Sequence, residues 1–176
     1  MPPSFLVIGG GIIALLLVAA VFTRLNSDYL VFDRGQASMP RLLKETAVRE
    51  SDLPALIEAM SRGTAPVRYA TLIFSSPDRP SDQDALNIQI SIENGKVGFD
   101  WVLLGPRNIE DLGKFKSFAI ARGVEPIARS MNGVSYLRVE CPDVANFTAS
   151  VATEMYHHPS NEPLGLVYEG FEWTQS

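Results

Sequence analysis

Residues 86–103 read LNIQISIENGKVGFDWVL. Apolar and polar side chains alternate over residues 86–93, which is the period-two pattern of a strand with one dry face and one wet face. Asn94-Gly95 favours a two-residue turn, because both central positions of such a turn need positive φ. The alternation resumes over residues 97–103. The sequence therefore predicts a β-hairpin around which the rest of the domain is built.

A helix and a strand are predicted on the N-terminal side of this hairpin. Asp52 can cap the helix, Pro54 suits its first turn, and Gly63 can end it in the left-handed conformation. Residues 67–74 are rich in β-branched and aromatic side chains, which is typical of a strand. The buried face of the helix is expected to carry the apolar residues at helical spacing, namely Leu53, Leu56, Ile57 and Met60.

Further helices and strands are predicted on the C-terminal side. A helix runs from a cap at Asn108 to Arg122-Gly123, and a second hairpin has strands at 124–129 and 134–140. Another helix follows Pro142 and stops at His157, and a last strand covers 164–173. The apolar positions expected to be buried in the two helices are Ile109, Leu112, Phe115, Ala119, Val144, Phe147, Val151 and Met155.

This order of elements predicts an α+β fold with an antiparallel-rich sheet and helices on one face. From Val97 onward the order is βαββαβ, the split βαβ or ferredoxin-like arrangement, which the preceding strands can modify. Taken from Leu53, the order of elements resembles that of small secretion-chaperone domains. The resemblance concerns topology alone, and it carries neither function nor site residues to this chain.

An apolar segment precedes the domain. Residues 5–22 contain no charged side chain and would extend about 27 Å as a helix, close to the thickness of a bilayer core. We expect a retained transmembrane anchor over residues 1–23 that contacts the lipid bilayer from Phe5 to Phe22; the alternative is a cleaved signal peptide. The nearby basic residues, Arg24, Arg34 and Arg41, all follow the span, which predicts a single-pass protein with a cytoplasmic domain.

Residues 24–50 are interpreted as a juxtamembrane tether. Pro40 and the residues after it have the pattern of a helix start, so a short helix is predicted to reach about Arg49. One α+β domain is then expected over residues 51–176, a length sufficient to bury a core.

The charge of the domain argues against one class of partner. Beyond residue 50 there are ten Lys and Arg against sixteen Asp and Glu, a net charge of −6. No basic stripe interleaved with aromatic residues is present, so nucleic-acid binding is not expected. Cys141 is the only cysteine, which excludes an internal disulfide and a multi-cysteine metal site.

The candidate ligand or partner surface consists of acidic and aromatic residues on two predicted strands. A pair of carboxylates in an aromatic cleft could perform acid–base chemistry or hold a cation. The alternation places Asp100 on the wet face, opposite its neighbour in the chain, so solvated side chains are the preferred interpretation and the carboxylate cleft is the alternative. The residues are Asp100, Trp101, Tyr168, Glu169 and Trp173.

The remaining reactive side chains do not form a recognisable site. His157 and His158 are adjacent rather than four residues apart, which does not suit a metal pair on a helix. Cys141 lies before a predicted helix N-terminus, where a thiol pKa can be lowered, but it also fits a small buried residue. We therefore expect no metal, no cofactor and no catalytic residue.

The function expected from these features is a membrane-anchored, non-catalytic interaction or accessory module. An antiparallel sheet with an uncovered face, here Asn87, Gln89, Ser91 and Glu93, is suited to docking a protein. The alternative is a small-ligand sensor with a pocket between sheet and helices near Trp101, Tyr168 and Trp173. A hydrolase or transferase is the third hypothesis.

Overall fold

A computed structural model describes residues 44–79, 85–131 and 133–174. These residues form one seven-stranded sheet with the order β1-β7-β2-β3-β4-β6-β5, in which all paired neighbours are antiparallel. The strands are β1 (Lys44–Val48), β2 (Tyr69–Phe74), β3 (Leu86–Glu93), β4 (Lys96–Val102), β5 (Ile127–Met131), β6 (Val134–Val139) and β7 (Leu164–Glu169). The α+β class and the antiparallel sheet are thus confirmed.

The helices cover one face of this sheet. A 3₁₀ turn (Glu50–Asp52) leads into α1 (Leu53–Arg62). Two helices follow β4, namely α2 (Pro106–Glu110) and α3 (Leu112–Ala121). The last helix, α4 (Val144–Ser150), continues into a π-helical turn (Val151–Met155). Side chains from α1, α3 and α4 pack with one set of strand residues in a single hydrophobic core. We call the sheet surface toward this core the inner face.

The central hairpin is confirmed in its details. Asn94 and Gly95 have φ of 52° and 78°, as the two-residue turn requires. The strands joined by this turn pair from Ile88↔Trp101 to Glu93↔Lys96. A glycine suits the second position because an L side chain rarely adopts so positive a φ.

The sheet order differs from the four-stranded ferredoxin-like arrangement. β6 lies between β4 and β5, as in the split βαβ pattern. β7, which would complete that pattern beside β4, is instead separated from it by β2 and β3. The reason is the two-residue turn, which obliges β3 to occupy the edge of β4 that β7 would otherwise take.

The predicted short helix up to Arg49 is wrong for residues 44–48. These residues form β1, which pairs with β7 from Lys44↔Tyr168 to Val48↔Leu164. Val48 is fully buried in the core. The domain therefore includes residues that the sequence assigned to a tether, and it begins before the predicted boundary at residue 51.

Three local helix predictions also need correction. Gly63 ends α1 with φ −59° and ψ 146°, which is extended rather than left-handed. The helix predicted from Asn108 is divided at Asp111, whose carboxylate accepts hydrogen bonds from Arg107 Nε (2.5 Å) and Tyr156 Oη (2.9 Å). Ile109, which lies before this division, is exposed rather than buried.

The other predicted elements lie close to their expected places. The strand at 67–74, the helix after Pro142 and the final strand are present with shifted ends. In that helical segment Val144, Phe147, Val151 and Met155 are all buried, as predicted. The predicted anchor at residues 5–22 lies outside the described residues.

Candidate functional site

The sheet surface opposite the inner face carries a buried polar cluster. Direct pairing places Thr71, Gln89, Asp100 and Arg138 in one row across β2, β3, β4 and β6. Side chains that are directly opposite in an antiparallel sheet share a face. We call this surface the polar face. Asp100 and Arg138 are almost completely buried there, so the expectation of a solvated Asp100 is wrong.

Arg138 is the centre of the cluster. Its Nη1 donates to Asp100 Oδ1 (2.8 Å) and to Ser91 Oγ (3.0 Å), and its Nε donates to Glu140 Oε1 (3.0 Å). Its Nη2 donates to the backbone oxygen of Lys96 (2.9 Å). A guanidinium has five N–H donors in a fixed plane, so one side chain can connect groups from several strands.

Additional acidic groups surround the same guanidinium. Glu93 Oε1 lies 3.6 Å from Arg138 Nη1 and accepts a hydrogen bond from Tyr136 Oη at 2.6 Å. Ser91 Oγ donates to the second carboxylate oxygen of Asp100. The cluster thus gathers three carboxylates, those of Asp100, Glu93 and Glu140, around one buried cation.

Burial raises the pKa of Asp100 to about 6, and the neighbouring charge of Glu93 acts in the same direction. The hydrogen bond from Ser91 and the charge of Arg138 oppose this rise. The pKa rises because a buried carboxylate loses more hydration free energy than its interaction with a shared guanidinium supplies. Burial and the bond to Glu93 likewise raise the pKa of Tyr136.

A glycine makes room for Arg138. Gly98 lies on β4 beside the guanidinium, and a Cβ at this position would overlap the guanidinium atoms. β4 can therefore accommodate the guanidinium of Arg138 only because residue 98 has no side chain. The sequence signal for this arrangement is the Gly98-Phe99-Asp100 alternation, which places Gly98 and Asp100 on one face.

The contacts within this cluster indicate a structural role rather than a catalytic one. Every carboxylate in it is engaged by Arg138, and Ser91 donates to a carboxylate rather than facing an accessible substrate position. A nucleophile needs both a free base and access to substrate. We therefore interpret the polar face as a cross-strand network that holds β3, β4 and β6 in register.

Trp101 lies on the inner face and is fully buried. Its ring stacks on Phe115 at a centroid distance of 4.6 Å, and its Nε1 donates to the backbone oxygen of Asn108 (2.9 Å). Asp100 and Trp101 therefore lie on opposite faces of the sheet, and the structure does not bring them into a common site.

The predicted residues near the C-terminus lie elsewhere. Tyr168 Oη donates to the backbone oxygen of Trp173 (3.3 Å), and Glu169 Oε2 accepts from Tyr69 Oη (2.8 Å). Tyr168 and Glu169 line an open cleft of about 690 Å³ between the C-terminal end of α1 and the end of β7. Asp100 and Glu169 are separated by two strands, β2 and β3, so they do not form the carboxylate pair considered from the sequence.

The remaining reactive side chains have structural surroundings. Burial raises the pKa of the Cys141 thiol, which disfavours a thiolate. His158 is buried with its ring edge-on to Phe74 at 5.4 Å, and burial lowers its pKa. Among the described residues no group of three or more His, Cys, Asp or Glu side chains could hold a metal ion.

The edge strand β5 is the most exposed element of the sheet. All five of its residues are exposed, including two large apolar ones, Ile127 (42%) and Met131 (44%). Within the described part of the chain, β5 pairs only with β6. Sequence reasoning missed this surface because it placed the strand at 124–129, and no pattern in a single chain shows which strand is an edge.

Comparison with protein families, characterised proteins and solved structures gives no match for this chain. In residues 44–79, 85–131 and 133–174, the structure contains no helix with the length and apolar character needed to cross a bilayer.

Proposed function

We propose that this protein is a membrane-anchored, non-catalytic interaction module that binds a partner protein along β5. The apolar segment Phe5–Phe22 supports the anchor, and the basic residues after it support a cytoplasmic position of the domain. The observation that carries the proposal is that all five residues of β5 are exposed at the edge of the sheet.

An exposed edge strand offers a partner two kinds of interaction. Its outer N–H and C=O groups can pair with an extended segment, which adds a strand to the sheet. Exposed apolar side chains on the same strand add buried area when a partner docks. Ile127 and Met131 supply that apolar area at either end of β5.

The β5 edge is better suited to docking than the polar face. The sequence instead indicates docking on the polar face. Ser91, Asp100 and Arg138 are buried and use their hydrogen-bonding groups within the cluster. Asn87, Gln89 and Glu93 are only partly exposed. A partner on that face would find the polar groups of the Arg138 cluster already paired with one another.

The test uses the full-length protein in its native membrane, chemical crosslinking and quantitative mass spectrometry of the crosslinked proteins. The Ile127→Lys/Met131→Lys variant adds two charges to the edge. We expect the amount of crosslinked partner to fall at least about tenfold, because charged side chains oppose burial. The matched control is Ile109→Lys/Ile120→Lys, which changes two exposed isoleucines on helices.

Equal loss in both double variants would point to general damage or nonspecific binding. Unchanged crosslinking in the edge variant would contradict the proposal. Only a loss specific to the edge variant supports β5 as the docking strand.

A second candidate function is a small-ligand sensor, which the cleft beside Tyr168 and Glu169 favours. The cleft has polar groups from Arg62 and Thr64 as well as apolar walls. Trp173 lies near this lining, so its fluorescence emission during titration with metabolites distinguishes the sensor from the docking module. We also propose a topological likeness to small secretion-chaperone domains, which the order of helices and strands alone supports.

A further inference from the structure

The side chains of β5 alternate between the two faces of the sheet. Pairing sets Ile127 opposite Arg138, Arg129 opposite Tyr136 and Met131 opposite Val134. Because Arg138 lies on the polar face, the three odd-numbered β5 residues lie on that face as well. The edge therefore presents the pattern apolar, basic, apolar along one line.

Arg129 is the central residue of this line and is exposed. Its side chain makes no hydrogen bond or ion pair with the residues that the structure describes. Other arginines of the domain do have carboxylate partners, such as Arg122 with Glu154 and Arg79 with Glu110. Arg129 thus offers an unneutralised positive charge in the middle of an open strand edge.

This charge argues against a second copy of the chain as the occupant. An antiparallel pair of β5 strands centred on the middle residue would place Arg129 directly opposite Arg129 of the other copy. Like charges directly opposite on neighbouring strands are destabilising, and basic residues on edge strands are a common protection against self-pairing. The complementary occupant has an acidic residue at the position facing Arg129.

We propose that β5 binds an extended partner segment with an acidic residue between two apolar residues at alternate positions, in the pattern apolar-x-acidic-x-apolar. This inference rests on the proposed docking function and adds the chemistry of the partner. In the added strand, the acidic side chain pairs with Arg129 while the two apolar side chains cover Ile127 and Met131. Backbone pairing with β5 supplies binding that is independent of sequence.

The experiment measures the binding of two labelled nine-residue peptides to the full-length protein in mild detergent by fluorescence anisotropy. The peptides share a Val-Thr-X-Thr-Val centre and differ only in X, which is Asp or Lys. We expect the wild-type protein to bind the Asp peptide about fivefold more tightly, because an attractive cross-strand pair replaces a repulsive one. The Arg129→Glu variant should reverse the preference, and Arg129→Lys should retain it.

Absence of binding by both peptides, or a preference that Arg129→Glu leaves unchanged, would overturn the inference. The docking function is judged separately, since the loss of crosslinked partner in Ile127→Lys/Met131→Lys requires no acidic residue in the partner. A third outcome is the association of wild-type protein with the Arg129→Glu variant into mixed dimers. That result would make a second copy the occupant and would also overturn the inference.

Discussion

Arg138 shows how a single residue can organise one face of a sheet. It reaches acidic groups on β3, on β4 and just beyond the end of its own strand, and it is completely buried. A buried ion pair adds little net stability compared with apolar packing, but loss of one partner leaves uncompensated charge. The cluster is therefore most sensitive to removal of its single shared cation.

The Arg138→Met variant should lower the free energy of unfolding by about 3 to 5 kcal/mol, because Asp100 would remain buried without its cation. Urea denaturation followed by circular dichroism measures this change. The matched control is Arg62→Met, which removes an exposed ion pair with Glu58 (3.6 Å) and should cost less than about 1 kcal/mol. Similar costs for the two variants would contradict the central role of Arg138.

Asp100 should give the stability of the domain a distinctive pH dependence. Its folded pKa of about 6 lies above the unfolded value of about 3.9. The resulting stabilisation is fully present below about pH 4 and is lost as the pH rises through 6, because the folded state favours the protonated acid. The total effect is about 3 kcal/mol.

The Asp100→Asn variant removes this titration while retaining a hydrogen-bonding oxygen. The measurement is the free energy of unfolding of both proteins in urea from pH 4 to pH 7. We expect the wild-type protein to lose stability relative to the variant over this range. A difference that stays constant would show that folding does not shift the pKa of Asp100, and a change in the opposite direction would show that folding lowers it.

At the scale of elements, pairing and burial override the local pattern at several places. Residues 44–48 resemble the end of a short helix in sequence, but pairing with β7 and the burial of Val48 make them a strand. The long helix predicted after β4 divides where Asp111 binds Arg107 and Tyr156. In both cases at least one partner, β7 or Tyr156, is distant in the chain.

The contribution of β1 can be tested with Val48→Ala. Because Val48 is fully buried in the core, this change should lower the free energy of unfolding by about 2 kcal/mol. The control on the same strand is Thr46→Ala, whose side chain is exposed and should matter much less. Both values come from urea denaturation. Equal and negligible changes would indicate that residues 44–48 are a tether after all.

At the scale of the whole molecule, the sheet has two unlike faces and an open edge. The inner face joins the helices in one apolar core, and the polar face contains the Arg138 cluster. The row from Thr71 to Arg138 ends at Ile127 on β5, so the edge strand is directly continuous with the buried network. Docking on β5 would thus extend a rigid sheet rather than a loose loop.

The sequence by itself determined the α+β class, the central hairpin, three of the four buried positions predicted in α1, and those of the helical segment after Pro142. Those features depend on local periodicity and turn residues, which can be recognised within a short stretch of consecutive residues. Only the tertiary structure decided that Arg138 meets Asp100, that Asp100 is buried and lies two strands away from Glu169, and that β5 is an open edge. The physical reason is that strand order and long-range pairing are set by contacts between distant segments, which no local pattern specifies.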